Sequence, residues 1–102
     1  MGHKHQISLI LDSTGETLNR IFIAIKSQFS NFDYIKKEHV FTRTKNQIDK
    51  IIEENKEKKN SIILYTIVET KLAKYITQQC ERNKIPCFYV LGNLILNFSK
   101  IL

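Results

Sequence analysis

Three observations in the sequence predict an α/β fold built on a parallel sheet. Four short apolar runs recur along the 102 residues, and amphipathic stretches of helical period separate them. Strands that alternate with helices in this way form right-handed β-α-β units, with the sheet held between two helical layers. The first and third runs are the most apolar, so they belong at the centre, where a parallel sheet is covered on both faces. The expectation is a single three-layer domain over residues 1–102. Its four-stranded parallel sheet has the order 2-1-3-4, with helices on both faces.

The first strand is read over residues 6–12 (QISLILD), ending in the turn-forming Asp-Ser-Thr-Gly. Leu18, Ile21, Phe22, Ile25 and Phe29 then recur at helical steps and share one face. A weaker, partly polar strand over 34–41 suits a sheet edge. Thr44 and Gln47 have the spacing of a capping box, and Ile48, Ile51, Ile52 and Asn55 follow on one side of a second helix. Residues 61–66 (SIILYT) make the clearest strand, rich in β-formers and almost wholly apolar. Thr66 and Glu69 repeat the capping-box spacing before a third helix, whose buried face is Leu72, Ala73, Ile76 and Cys80. A fourth strand spans 85–91 with Pro86 at its start, and Gly92 breaks it. Leu94, Ile95, Leu96, Phe98, Ile101 and Leu102 crowd the remaining tail, which suits a final helix. So many apolar residues with nothing after them to bury against predict an interface, either a homodimer or a docked C-terminal half.

Composition narrows the function. A chain with 42% hydrophobic and 25% charged residues is that of a soluble globular protein that needs no staples. The formal charge of +6 is spread along the chain. Its densest basic run, Lys56 to Lys59, alternates with Glu53, Glu54 and Glu57 and reads as a solvated helix end. Aromatic residues do not interleave with these lysines, so no nucleic-acid surface is expected. Cys80 and Cys87 form no C-x-x-C pair, and His3, His5 and His39 lie in no zinc-spaced cluster, so no metal is expected. No apolar run approaches the ~18 residues of a membrane span, and no basic leader precedes one. A cytoplasmic protein without a membrane partner is the expectation. Glycine occurs only at 2, 15 and 92, so neither G-x-x-x-x-G-K-[ST] nor G-x-G-x-x-G can be written anywhere.

The segment that bears chemistry lies between the first strand and the first helix. In an open parallel sheet, ligands bind beyond the carboxyl ends of the strands, where the strand order reverses. Asp12, Ser13, Thr14, Gly15 and Thr17 would sit there. Backbone N–H groups at a helix start attract anions, and the hydroxyls of Ser13, Thr14 and Thr17 could add hydrogen bonds to phosphate oxygens. Gly15 would let a ligand approach the backbone closely. Ser13 and Glu16 also have capping-box spacing, so the same segment reads equally as a helix cap that needs no ligand. Thr66 and Glu69, beyond the third strand, would face the same crevice or cap the next helix. No G-x-S-x-G elbow marks a serine nucleophile, and no residue is assigned a catalytic role.

Taken together these segments resemble a known family. LILDSTGET, ending at Thr17, is similar to the opening signature of the bacterial regulatory proteins of pyruvate, phosphate dikinase and phosphoenolpyruvate synthase. AIKSQF at 24–29, YTIV at 65–68 and IPCFYVLGNLI at 85–95 resemble that family's later segments, in the expected order. The chain has Leu11, Tyr89 and Asn93 where the family pattern has Ser, Asp and Pro. The resemblance implies a bifunctional enzyme that uses ADP to phosphorylate a threonine of the dikinase or synthase. The same enzyme removes that phosphate with inorganic phosphate, releasing pyrophosphate. The family's own nucleotide loop lies in a C-terminal half that this sequence does not contain. The chain is thus expected to be a non-catalytic N-terminal domain of a truncated or split member, holding no cofactor itself. The alternatives are a stand-alone module for a small anion or nucleotide, and a non-functional remnant.

Overall fold

The computed structural model describes residues 4–13 and 16–102. Strands β1 (His5–Ile10), β2 (Tyr34–His39), β3 (Ser61–Tyr65) and β4 (Cys87–Tyr89) alternate with helices α1 (Glu16–Lys26), α2 (Lys45–Lys56), α3 (Thr70–Arg82) and α4 (Gly92–Ile101). The four strands form one sheet of order β2-β1-β3-β4. Every pairing is parallel: His5 to Ile10 face Tyr34 to His39, and Gln6 to Ile10 face Ser61 to Tyr65. The predicted fold class and strand order are both present.

Side chains of β1 point alternately to the two faces, and each face has its own core. Ile7, Leu9 and Leu11 pack with Leu64 against Leu18 and Phe22 of α1. Ile10, Ile63 and Tyr65 face the other way, against Ile48, Ile51 and Ile52 of α2 and Leu72, Ala73 and Ile76 of α3. The predicted inner faces of α2 and α3 are therefore buried as read. That of α1 is only half covered: Leu18 and Phe22 are buried, Ile25 is exposed, and Phe29, read as part of the same face, lies past the helix end at Lys26 and is exposed. No helix among the described residues is long and apolar enough to cross a membrane.

One polar seam runs through the second core. Asn55 of α2 is fully buried, and its Oδ1 accepts from Gln6 Nε2 at 3.2 Å and Ser8 Oγ at 3.1 Å on β1. Its Nδ2 donates to the Ile51 carbonyl at 2.7 Å, and its own carbonyl accepts from Ser61 Oγ on β3 at 3.1 Å. One residue thereby ties the end of α2 to both central strands, by its side-chain amide to β1 and by its main-chain carbonyl to β3. Helical spacing marks Asn55 as inward-facing, and only these partners make its burial tolerable.

Element ends differ from the sequence reading, each for a local reason. β2 stops at His39 rather than 41, because Phe41 takes a left-handed backbone (φ 52°). Thr42 then turns back to donate its N–H to the Leu11 carbonyl and its hydroxyl to that of His39. β4 is shorter than 85–91: Lys84 and Leu91 are left-handed on either side, and the Ile85 N–H still closes α3 on Cys80. A Cβ at Gly92 would lie 2.5 Å from the ring of Tyr89, which itself stacks on Tyr65. Glycine is therefore required where α4 starts. The Thr44–Gln47 capping box is present as expected. The Thr66–Glu69 box is not: α3 starts at Thr70, and Glu69 is itself the N-cap, accepting from the N–H groups of Lys71 and Leu72. The longer carboxylate reaches both amides, which leaves the hydroxyl of Thr66 no part in the cap.

Two outcomes follow from these contacts. Asn55→Leu should lose about 2–6 kcal/mol in urea unfolding, because it strands two buried donors at roughly 1–3 kcal/mol each. Thr44→Ala, by comparison, should cost about 1 kcal/mol. His39 supplies the second. Its Nε2 is buried with no partner among the described residues, and burial holds its pKa below the usual 6.5, with Lys37 adding and Glu54 opposing. The fold thus favours neutral imidazole. The contribution is whole above pH 6.5 and is lost as pH falls through the lowered folded value. Melting curves between pH 7.5 and 5.5 should show a fall in stability that is smaller in His39→Gln.

Candidate functional site

The carboxyl ends of β1, β2 and β3 meet at one rim of the sheet, where the strand order reverses. Parallel pairing continues briefly past the strands: Leu11 donates to His39, Thr42 to Leu11, and Thr66 to Ile10, at 2.8–3.1 Å. Beyond these bonds the chain leaves the sheet, and side chains take over the joining. Asp12 Oδ2 accepts the backbone N–H of Val68 at 3.1 Å, bridging the loops after β1 and β3. Arg43, from the loop after β2, donates Nη2 to the Asp12 carbonyl at 3.3 Å. Its guanidinium lies 5.4 Å from the ring centroid of Phe41, whose N–H in turn donates to the Ser13 carbonyl at 3.3 Å. Three loops are closed on one another around Asp12.

The sequence-derived site residues fall as follows. Asp12 is half-buried and Ser13 exposed at this rim, and Thr17 is exposed in the first turn of α1. Thr14 and Gly15 lie outside the described residues. Thr66 is half-buried directly after β3. Glu69 is on the same loop, but its carboxylate is engaged by the amides at the start of α3. The geometry thus brings Asp12 to Val68 and Ser13 to Phe41. It directs Glu69 to a structural task.

Arg43 is the residue that the sequence reading missed. That reading was confined to the segments that follow the first and third strands, and Arg43 is 31 positions from the carbonyl it binds. A signal existed: with strand order 2-1-3-4, the residues after the second strand reach the same rim as those after the first. Among the described residues the guanidinium makes a single hydrogen bond to protein. A guanidinium carries five N–H donors. The rim therefore offers a positive charge with unused donors at the Asp12 carbonyl, the kind of group that favours an anion. Among the described residues no group of three or more His, Cys, Asp or Glu is placed to hold a metal ion.

Residues 7–102 match the family described as kinase/pyrophosphorylase. The chain belongs to this family. It is 59% identical over 102 residues to a protein of Pelagibacter ubique (strain HTCC1062) named as a pyruvate, phosphate dikinase regulatory protein, covering all of this chain and 37% of that one. Proteins of the same name from Chelativorans sp. (strain BNC1) and Bartonella tribocorum (strain CIP 105476 / IBS 506) are 35% and 31% identical, over 98% of this chain and 38% and 35% of their own lengths. The chain thus spans little more than a third of the curated relatives it matches. The kinase/pyrophosphorylase match includes every loop of the rim.

The Asp12 clasp can be measured directly. Asp12→Ala removes a charge-assisted hydrogen bond at a half-exposed position and should cost about 1 kcal/mol, below the range for buried bonds to charged groups. Hydrogen exchange of the Val68 amide should accelerate in that variant, whereas amides within β3 should keep their protection relative to global stability.

Proposed function

We propose that this chain is the rim-bearing α/β domain of a regulatory protein for pyruvate, phosphate dikinase. In this reading it cradles an anionic group, a phosphate or the phosphorylated segment of its target, in the cytoplasm. ADP-dependent phosphorylation and phosphate-dependent dephosphorylation would be completed by family sequence outside residues 1–102. The observation that carries the reading is the closure of three loops by Asp12 and Arg43 at the point where the strand order reverses. Ligands of open parallel sheets bind at that point. The curated relatives carry the dikinase in their names, and that supports the choice of partner. Only Gly2, Gly15 and Gly92 are present, so no glycine-rich cradle for a nucleotide triphosphate can form. That supports placing ADP binding elsewhere.

The roles follow from the chemistry of each group. Arg43 would supply the charge. The start of α1, with the hydroxyls of Ser13 and Thr17, would supply neutral donors. Asp12 would act as a positioning residue, since its carboxylate is committed to Val68. No group at the rim has the arrangement of a nucleophile and its base.

Inorganic phosphate should stabilise the protein more than chloride at equal ionic strength. At a hundredfold excess over the dissociation constant the gain is about 2.7 kcal/mol by mass action. Arg43→Gln should abolish most of it, while lowering stability in chloride only by the roughly 0.5–1.5 kcal/mol of one exposed hydrogen bond. A dikinase phosphorylated on its threonine should bind the chain more tightly than the unphosphorylated form, and ADP alone should give no micromolar binding in calorimetry. Phosphate stabilisation with no dikinase binding would favour the stand-alone anion module. Absence of any phosphate-specific shift would leave the rim as a helix cap.

A further inference from the structure

The two faces of the sheet are unequally covered. Helices α2 and α3 fill one face, whereas α1 stands alone on the other, over β1 and the β2 edge. Beside α1 a groove of about 910 Å³ runs across the sheet, lined by Ile25, Phe29, Phe32, Ile62, Phe88 and Val90. Phe29 is 60% exposed and Phe88 56%. Soluble domains seldom leave aromatic residues open in such a contiguous patch unless another surface covers it. Helix α4 shows the same feature. It has no buried residue, Leu94 and Phe98 are largely exposed, and a groove of about 820 Å³ separates it from α3.

The handedness of the fold says what belongs there. Going from β3 through α3 to β4, the chain advances in one direction along the sheet, and a right-handed crossover puts α3 on the α2 face. Helix α4 follows β4 and lies on that same side, next to α3. A strand entered from α4 in a right-handed unit pairs with the outer edge of β4, which pairs with no strand among the described residues. A helix returning from that strand lands on the α1 face, over the groove. The relatives have the chain for this: only 37% of the Pelagibacter ubique protein is matched, and the larger part of it lies outside the match.

We propose that the groove between α1 and β4 is the seat of an amphipathic helix from the unmatched part of the family chain, with a strand of that part extending the sheet beyond β4. The proposal rests on family membership and topology, and is independent of the anion reading of the rim.

The test uses the full-length Pelagibacter ubique protein and this chain. A photo-crosslinking residue placed at the position matching Phe88 should crosslink within one molecule, to sequence outside the matched third. Crosslinks confined to the matched third, or joining two molecules, would overturn the proposal, and the latter would make a second copy the occupant. In parallel, this chain should form a one-to-one complex with the unmatched portion supplied in trans. Amides of α4 and of residues 86–91 should then exchange more slowly. Phe88→Asp and Ile25→Asp should weaken that complex by about tenfold or more, equivalent to about 1.4 kcal/mol. Ile23→Asp, at a 58% exposed position of α1 outside the groove, should not. A complex indifferent to both groove substitutions would also overturn it.

Discussion

The constraint on which the rest depends is the reversal of chain direction at β1. The chain leaves β1 for the β2 edge and then crosses back past β1 to β3. Right-handed crossovers then require α1 on one face and α2 with α3 on the other. That single requirement divides the core in two and makes β1 and β3 the strands buried on both faces. It also opens the crevice between the loops that follow them. Asp12 occupies that crevice because it is the first residue of the β1 loop with a side chain able to reach across it.

The reversal also has to be held, since loops departing in opposite directions have no ladder to join them. Two sets of bonds do this at opposite ends of the sheet. At one end Asn55 gathers Gln6 and Ser8 on its buried side-chain amide and Ser61 on its main-chain carbonyl, so that α2 is fixed to both central strands. At the other, Asp12 and Arg43 join the loops after β1, β2 and β3 in a half-exposed setting. The energetic characters differ. The buried seam is costly to break because its partners have no water to turn to, whereas the rim is weakly held and open. A ligand can compete at the rim and not at the seam.

The alternation of strands and helices was legible because Ile and Leu at 7, 9, 10, 63 and 64 mark strands, while 48, 51, 52, 72, 73 and 76 keep helical spacing. Strand order followed from which runs were most apolar. Element ends were not legible, because Phe41, Lys84 and Leu91 adopt left-handed backbones that nothing in their side chains announces. Helical spacing placed Ile25 on the face of Leu18 correctly, whereas Phe29 lies beyond the end of α1 at Lys26, and period reveals which residues share a face and not what stands opposite. Asp12 could be found because topology alone points to the end of the first strand. The Asp12–Val68 bond spans 56 positions and the Arg43 contact 31, and no local pattern encodes either.

The rim's own strength bears on how work is divided in a family of this activity. One exposed guanidinium and one helix terminus each contribute modestly in water, roughly 0.3–1 kcal/mol for a surface helix end. A bound nucleotide held to micromolar affinity needs about 8 kcal/mol. Phosphate loops reach such values by turning several backbone N–H groups on one phosphate chain, which takes glycines in close succession. This sequence has one glycine between β1 and α1, and the cation that reaches Asp12 arrives from another loop by way of a backbone carbonyl. Such an arrangement suits a site that reads an anion already delivered by a larger surface, because the larger surface supplies the affinity and the rim the selection. Under the two proposals made above, an apolar seat between α1 and β4 and a charged rim at the strand ends would be complementary: one would join the domain to the unmatched part of the family chain, and the other would stay open to a target.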